Sequence, residues 1–138
     1  METRSRKVLI AKVGLDGHET SAKLISLILR DAGYEVVYLG PRQTPETVVR
    51  VAEQEDVALI GVSLLSGSHK HVCGEILRLV AEKQLGIPLI AGGIIPPADQ
   101  EELLRMGVAA VFGPGSMTSD ILRTVATLVG RAEAPAQV

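Results

Sequence analysis

The stretch Val8-Leu9-Ile10-Ala11-Lys12-Val13-Gly14-Leu15-Asp16-Gly17-His18-Glu19-Thr20-Ser21 decides the fold. Its opening apolar run reads as a buried strand. A polar loop carrying two glycines follows, and then Ala22-Lys23-Leu24-Ile25-Ser26-Leu27-Ile28-Leu29, which reads as a helix. Asp16 and His18 therefore fall on the loop at the carboxyl end of the first strand. In an open α/β sheet that edge is where ligands bind. An Asp two residues before a His can orient the imidazole through one nitrogen and leave the other for a metal. Lys12, at the strand end, can place a positive charge near that Asp. Taken alone, His18 is more simply read as an exposed polar residue capping the helix, and Asp16 two residues upstream weakens that reading.

The alternation continues along the chain. Lys7–Val13 is the first strand and roughly Ser21–Ala32 the first helix, with Gly33 where a helix C-terminal glycine belongs. Glu35–Leu39 reads as the second strand. Thr44-Pro45-Glu46 opens the second helix, with Thr as N-cap and Pro at the first position, and Val48, Val49 and Ala52 form its apolar face. Val57–Ser63 is the third strand, and the third helix lies within His69–Lys83, with Val72, Ile76, Leu79 and Val80 at helical spacing. Ile87–Ala91 is the fourth strand. Pro97-Ala98-Asp99 starts a helix carrying Leu103, Leu104 and Met106. Val108–Phe112 is the fifth strand, and Thr118 or Ser119 caps a last helix running to about Val129. Strands that alternate with helices form a parallel sheet covered on both faces. With right-handed crossovers the expectation is an α/β, flavodoxin-like, doubly wound five-stranded sheet of order 2-1-3-4-5. Residues 1–130 form the one domain. The Ala- and Pro-rich tail 131–138 is expected to be flexible.

Composition narrows the functions. The chain of 138 residues carries a net charge of −2, which favours no polyanion, and its only aromatic residues are Tyr34, Tyr38 and Phe112. Nucleic-acid binding is therefore not expected. The apolar runs are far shorter than the about 18 residues that read as a membrane span. Arg4, Arg6 and Lys7 lead straight into the first strand with no apolar signal region after them. A single cysteine, Cys73, allows no internal disulfide and fits a reducing cytoplasm.

Three further strand ends carry small residues. Ser63-Leu64-Leu65-Ser66-Gly67-Ser68 follows the third strand, and its first serine can hydrogen-bond a ligand. Gly92-Gly93 follows the fourth, where missing Cβ atoms admit a ligand to the backbone. Phe112-Gly113-Pro114-Gly115-Ser116 follows the fifth. Each has a plain reading as a Ser/Gly loop or tight turn. Together on one edge they suit a long ligand laid across it. His69 and His71 face apart on a helix and make a poor chelate. His69 and Cys73 stand i, i+4, a spacing more simply read as a solvated helix face. Glu82, Lys83, Glu101 and Glu102 read as solvated charges. The glycine-rich dinucleotide motif, the P-loop and H-E-x-x-H are absent.

These residues together resemble the cobalamin-binding domain of adenosylcobalamin-dependent acyl-CoA mutases of the methylmalonyl-CoA and 2-hydroxyisobutyryl-CoA mutase family. The family pattern D-x-H-x-x-G, S-x-L and G-G stands here as Asp16-Gly17-His18-Glu19-Thr20-Ser21, Ser63-Leu64-Leu65 and Gly92-Gly93. Gln43-Thr44-Pro45-Glu46 and Gly61-Val62-Ser63 match as well. The resemblance runs from about Arg6 to Val129. It implies that His18 ligates cobalt in place of the cofactor's own base, with Asp16 holding its other nitrogen and Lys12 supporting Asp16. It implies that Ser63 hydrogen-bonds the displaced base, with Leu65 and Gly67 lining its slot. Gly92 and Gly93 would pass the nucleotide tail, and Phe112-Gly113-Pro114 would close the far side. Gly17 belongs to the same loop. Serine, small and able to cap a helix, stands at Ser21 in place of the last signature glycine.

The resemblance also implies a partner. Such mutases hold the acyl-CoA and the radical rearrangement in a (β/α)8 barrel, which needs about 250 residues. The expectation is a cytoplasmic heteromer in which this chain is the small, cofactor-binding subunit, inactive without a large barrel subunit. No catalytic residue for the substrate chemistry is then expected in this chain. The alternative is a non-enzymatic corrinoid carrier of a methyltransferase system. Those relatives carry a helical cap before the signature, and here only six residues precede the first strand. A receiver domain of a two-component regulator shares the strand order. It needs an acidic pair after the first strand, an Asp ending the third and a Lys after the fourth, where this chain has Val13-Gly14, Ser63 and Gly92.

Overall fold

The computed structural model describes residues 6–13, 20–64, 69–93, 95–113 and 116–129. Strands and helices alternate as β1 (Lys7–Val13), α1 (Thr20–Asp31), β2 (Glu35–Gln43), α2 (Pro45–Glu55), β3 (Leu59–Leu64), α3 (His69–Glu82), β4 (Leu89–Gly93), α4 (Pro97–Met106), β5 (Ala110–Phe112) and α5 (Thr118–Val129). All pairings are parallel, and the order is β2-β1-β3-β4-β5. This is the flavodoxin-like sheet expected from the alternation.

Alternate residues of each strand feed two cores, as the pleat requires. Leu9, Ile60, Val62 and Leu89 pack under α2, α3 and α4, against Val49, Ile76 and Leu103. Val8, Ile10, Leu59 and Ile90 pack under α1 and α5, against Leu29, Ile121 and Val125. β1 and β3, near the middle of the sheet, are buried on both faces, so their sequences run apolar without alternation.

Three strands begin two residues later than the apolar pattern suggests, and two of these delays share one cause. Each of α1 to α4 ends on a residue with positive φ, namely Gly33, Asp56, Gln84 and Gly107. The amide of the next residue then bonds back to the carbonyl five residues earlier: Tyr34 to Leu29, Val57 to Ala52, Leu85 to Val80 and Val108 to Leu103. This is the Schellman closure with its apolar plug. Val57 and Val108 are buried as plugs and do not open β3 and β5. β4 starts at Leu89 because Pro88 has no N–H to give the ladder.

β2 differs in the other direction and runs on past Leu39 to Gln43. Ala11 pairs with Leu39 and Val13 with Gln43, so Gly40-Pro41-Arg42 bulges out of register. Such a bulge and its proline are tolerated because β2 is an edge strand. On α4 only Leu103 is buried, and Leu104 and Met106 stand 47% and 39% exposed. Thr118 opens α5 instead of capping it. The Met117 carbonyl accepts the first helical bond from the Ile121 amide, and the nearby Ser116 hydroxyl bonds Gly113.

Thr44 caps α2 as its sequence suggests, accepting the Thr47 amide at 3.1 Å, with Pro45 at the first helical position. Thr44→Ala is expected to cost about 1 kcal/mol, read as a shift in the urea midpoint at constant slope. Lys83–Glu53 ties α3 to α2, and Lys70–Glu102 ties α3 to α4. Arg78 pairs with Glu75 and Glu82. The charges read as solvated are thus largely exposed ion pairs, each worth at most about 1 kcal/mol. Among the described residues no helix is long and apolar enough to cross a membrane.

Candidate functional site

Strand register builds the site. Lys12 of β1 pairs with Ser63 of β3, Ser63 with Gly92 of β4, and Gly92 with Phe112 of β5. Four strands thus contribute one residue each to a single row across the carboxyl edge of the sheet. Residues in register share a face. This row follows Ile10, Gly61 and Ile90 on the side of α1 and α5. Ser63, Gly92 and Phe112 are partly exposed along the row.

Lys12 closes one end. Its side chain is 1% exposed and is the one buried charged side chain among the described residues. Burial of an ammonium is sustained only where acceptors or an opposite charge are supplied. The next residues in the chain form the segment that holds Asp16 and His18.

The paired glycines have separate reasons to be glycine. Gly93 has a φ of 138°, and a Cβ there would collide with the Leu64 carbonyl oxygen on the neighbouring strand. Its requirement is met inside the sheet. Gly92 keeps an ordinary strand conformation. A Cβ there would meet the Phe112 carbonyl at 3.5 Å, an ordinary contact. Among the described residues there is room at Gly92, so that position is the opening in the row.

Gln100 went unnoticed in the sequence. Its side-chain amide donates to the Ile95 carbonyl at 2.8 Å. The same Nε2 stands 3.3 Å from where a Cβ on Gly113 would lie. One turn into α4, a lone glutamine carries no signal in sequence, since its partners lie on two different loops.

The structure therefore brings together Lys12, Ser63, Gly92 and Phe112, with Gly93 and Gly113 next to them. Ser21 lies in the first turn of α1, and its side chain is outside the description. Asp16, Gly17, His18, Leu65 and Gly67 fall outside the described residues, as do Pro114 and the tail 130–138. Among the described residues no group of three or more His, Cys, Asp or Glu could hold a metal. Cys73 is buried in the core, and burial pushes its thiol up to about 12, so it is a packing residue and not a nucleophile.

A sheet edge built this way suits a corrinoid cofactor. The family model described as the B12 binding domain matches residues 6–123, and the chain belongs to that family. Its cofactor is a cobalamin. Over 128 residues it is 42% identical to the pivalyl-CoA mutase small subunit of Xanthobacter autotrophicus, spanning 91% of this chain and 85% of that one. It is also 42% identical over 130 residues to the 2-hydroxyisobutanoyl-CoA mutase small subunit of Aquincola tertiaricarbonis, spanning 94% and 96%. The methylmalonyl-CoA mutase of Escherichia coli is 39% identical over 93% of this chain, which is 18% of that far longer protein. The chain is thus of the acyl-CoA mutase small-subunit type, a component of an isomerase.

Solved structures agree on the fold. A cobalamin-binding protein from Desulfitobacterium hafniense superimposes with a TM-score of 0.77 at 19% identity, over 92% of this chain and 60% of that one. A signal receiver domain from Vibrio parahaemolyticus reaches 0.70 at 16% identity, over 93% and 92%. Fold alone does not separate the two functions. The row residues do, since Ser63 and Gly92 stand where a receiver needs Asp and Lys.

Proposed function

We propose that this chain holds adenosylcobalamin on the carboxyl edge of its sheet and presents it to a large (β/α)8-barrel subunit. That partner binds a short branched acyl-CoA. The observation that carries the reading is the row Lys12–Ser63–Gly92–Phe112, with a buried cation at one end and an opening at Gly92. When bound, the cofactor supplies a cobalt–carbon bond that breaks homolytically and begins the carbon-skeleton rearrangement.

The chain's own residues bind and orient. His18 would supply the protein's nitrogen ligand to cobalt. Asp16 accepts the proton-bearing nitrogen of His18 and fixes the ring, and Lys12 balances the Asp16 charge from the end of β1. Ser63 would hydrogen-bond the cofactor's own base, and Leu65 and Gly67 would line the slot beside it. Gly92 would give the nucleotide tail its passage, with Ser21 in the first turn of α1, Gly17 ahead of it in the chain, and Phe112 and Gly113 at the far wall. Gly93 keeps the end of β4 against Leu64, so that Gly92 faces the opening.

The two small-subunit relatives support a separate large partner, and their names support a branched acyl-CoA. Their likeness favours this reading over a methyl-carrying corrinoid protein. The lone, buried Cys73 is consistent with a cytoplasmic complex. Reconstitution tests the proposal. The chain loaded with adenosylcobalamin is expected to show no isomerisation of short branched acyl-CoAs. Turnover is expected once a barrel mutase subunit from the same genome is added. Turnover by the chain alone would overturn the division of labour.

A further inference from the structure

We infer that Gln100 is a positioning residue for the cofactor slot, acting from behind as a key between the two loops that form its far wall. The inference rests on the cobalamin reading above. α4 packs on the α2/α3 side of the sheet, through Leu103, whereas the row Ser63–Gly92–Phe112 faces α1 and α5. Gln100 therefore lies on the side away from the slot. Its amide reaches both loops. It donates to the Ile95 carbonyl at 2.8 Å, just after β4, and abuts Gly113, just after β5. Ile95 is itself anchored, with its side chain 3% exposed in the core.

Gly113 is held from its other side by Ser116. The Ser116 hydroxyl donates to the Gly113 carbonyl at 2.8 Å and the Ser116 amide at 3.2 Å. β5 has only three residues, too few to position its following loop by strand pairing alone. The wall beside Gly92 is therefore set by the Gln100 amide and the Ser116 turn. Removing the amide unties the loop at Ile95 and leaves a gap behind Gly113, which loosens the fit of a rigid ligand.

Gly113 supplies a test that a merely structural glutamine would not pass. A Cβ at position 113 points toward Nε2 of Gln100, 3.3 Å away, and so toward α4. Among the described residues the Gln100 amide is what that Cβ would meet, so an effect of Gly113→Ala that disappears in Gln100→Ala is one that passes through the amide. In the full chain, cobalamin affinity is measured by equilibrium dialysis and cofactor-free stability by thermal melting. Gln100→Ala and Gln100→Glu, which lose the donor, are each expected to weaken affinity about 5- to 10-fold, the range of one net hydrogen bond. Gly113→Ala is expected to weaken it about 3-fold in the unsubstituted chain and not at all in Gln100→Ala. Losing that one hydrogen bond should lower the melting point by no more than about 6 °C, and Gly113→Ala should leave it within about 3 °C.

Unchanged affinity in Gln100→Ala would overturn the inference. So would additive effects of Gln100→Ala and Gly113→Ala. If the unsubstituted chain took up no cobalamin, the cofactor reading itself would fail, which is a different result from either of these.

Discussion

His18→Ala is expected to abolish the visible spectrum of cobalamin that has a protein nitrogen as a cobalt ligand. The chain should remain folded, because His18 lies beyond the ladder of β1, which ends at Val13. Loss of a residue that merely supports a metal ligand costs 10- to 100-fold in metal affinity or activity. Loss of the ligand itself should exceed that, with turnover in the reconstituted complex falling by more than about 100-fold. Asp16→Asn should fall within the 10- to 100-fold range and keep the ligated spectrum. An unchanged spectrum in His18→Ala would remove His18 as the ligand. It would turn attention to the remaining histidines, His69 and His71, which lie at the start of α3.

Gly93→Ala should give the largest loss of stability of any substitution on the carboxyl edge. The new Cβ would run into the Leu64 carbonyl, and a φ of 138° is one that side-chain-bearing residues rarely adopt. Backbone strain of that kind costs about 1–3 kcal/mol even without a collision. A melting point about 10 °C lower, or failure to accumulate as folded protein, is the expected result. Gly92→Ala makes the contrast. Among the described residues its Cβ finds ordinary contacts at 3.5 and 3.9 Å. The melting point should move by less than about 3 °C, while cobalamin binding weakens because the methyl group enters the opening. Equal melting points for the two variants would sink the division of roles between the glycines.

That division shows how differently two adjacent letters can be read. In sequence, Gly92 and Gly93 form one motif with one implied role. The register of β4 against β3 separates them, because Leu64 faces Gly93 and Ser63 faces Gly92. The strand ends make the same point. Val57 and Val108 are apolar and follow helices, so by pattern they belong to strands. Their amides instead close α2 and α4. A Schellman plug and the first residue of a buried strand have the same composition, and only the hydrogen bond tells them apart.

Much was nevertheless legible without coordinates. The alternation of apolar runs with helical periods, and the caps Thr44-Pro45 and Gly33, carried the layer architecture and the strand order. These are local preferences repeated along the chain, and right-handed crossovers leave few ways to connect them. The Asp16–His18 spacing and the small residues after β3, β4 and β5 marked one sheet edge as the candidate site. Tertiary structure was needed for what depends on residues far apart in the chain. It aligned Lys12, Ser63, Gly92 and Phe112 into one row, buried Lys12, and assigned Gly93 to the sheet and Gly92 to the opening. It also brought Gln100 between Ile95 and Gly113. Register and long-range contact come from packing whole strands and helices together, and a side chain's local sequence holds no record of what lies across the sheet.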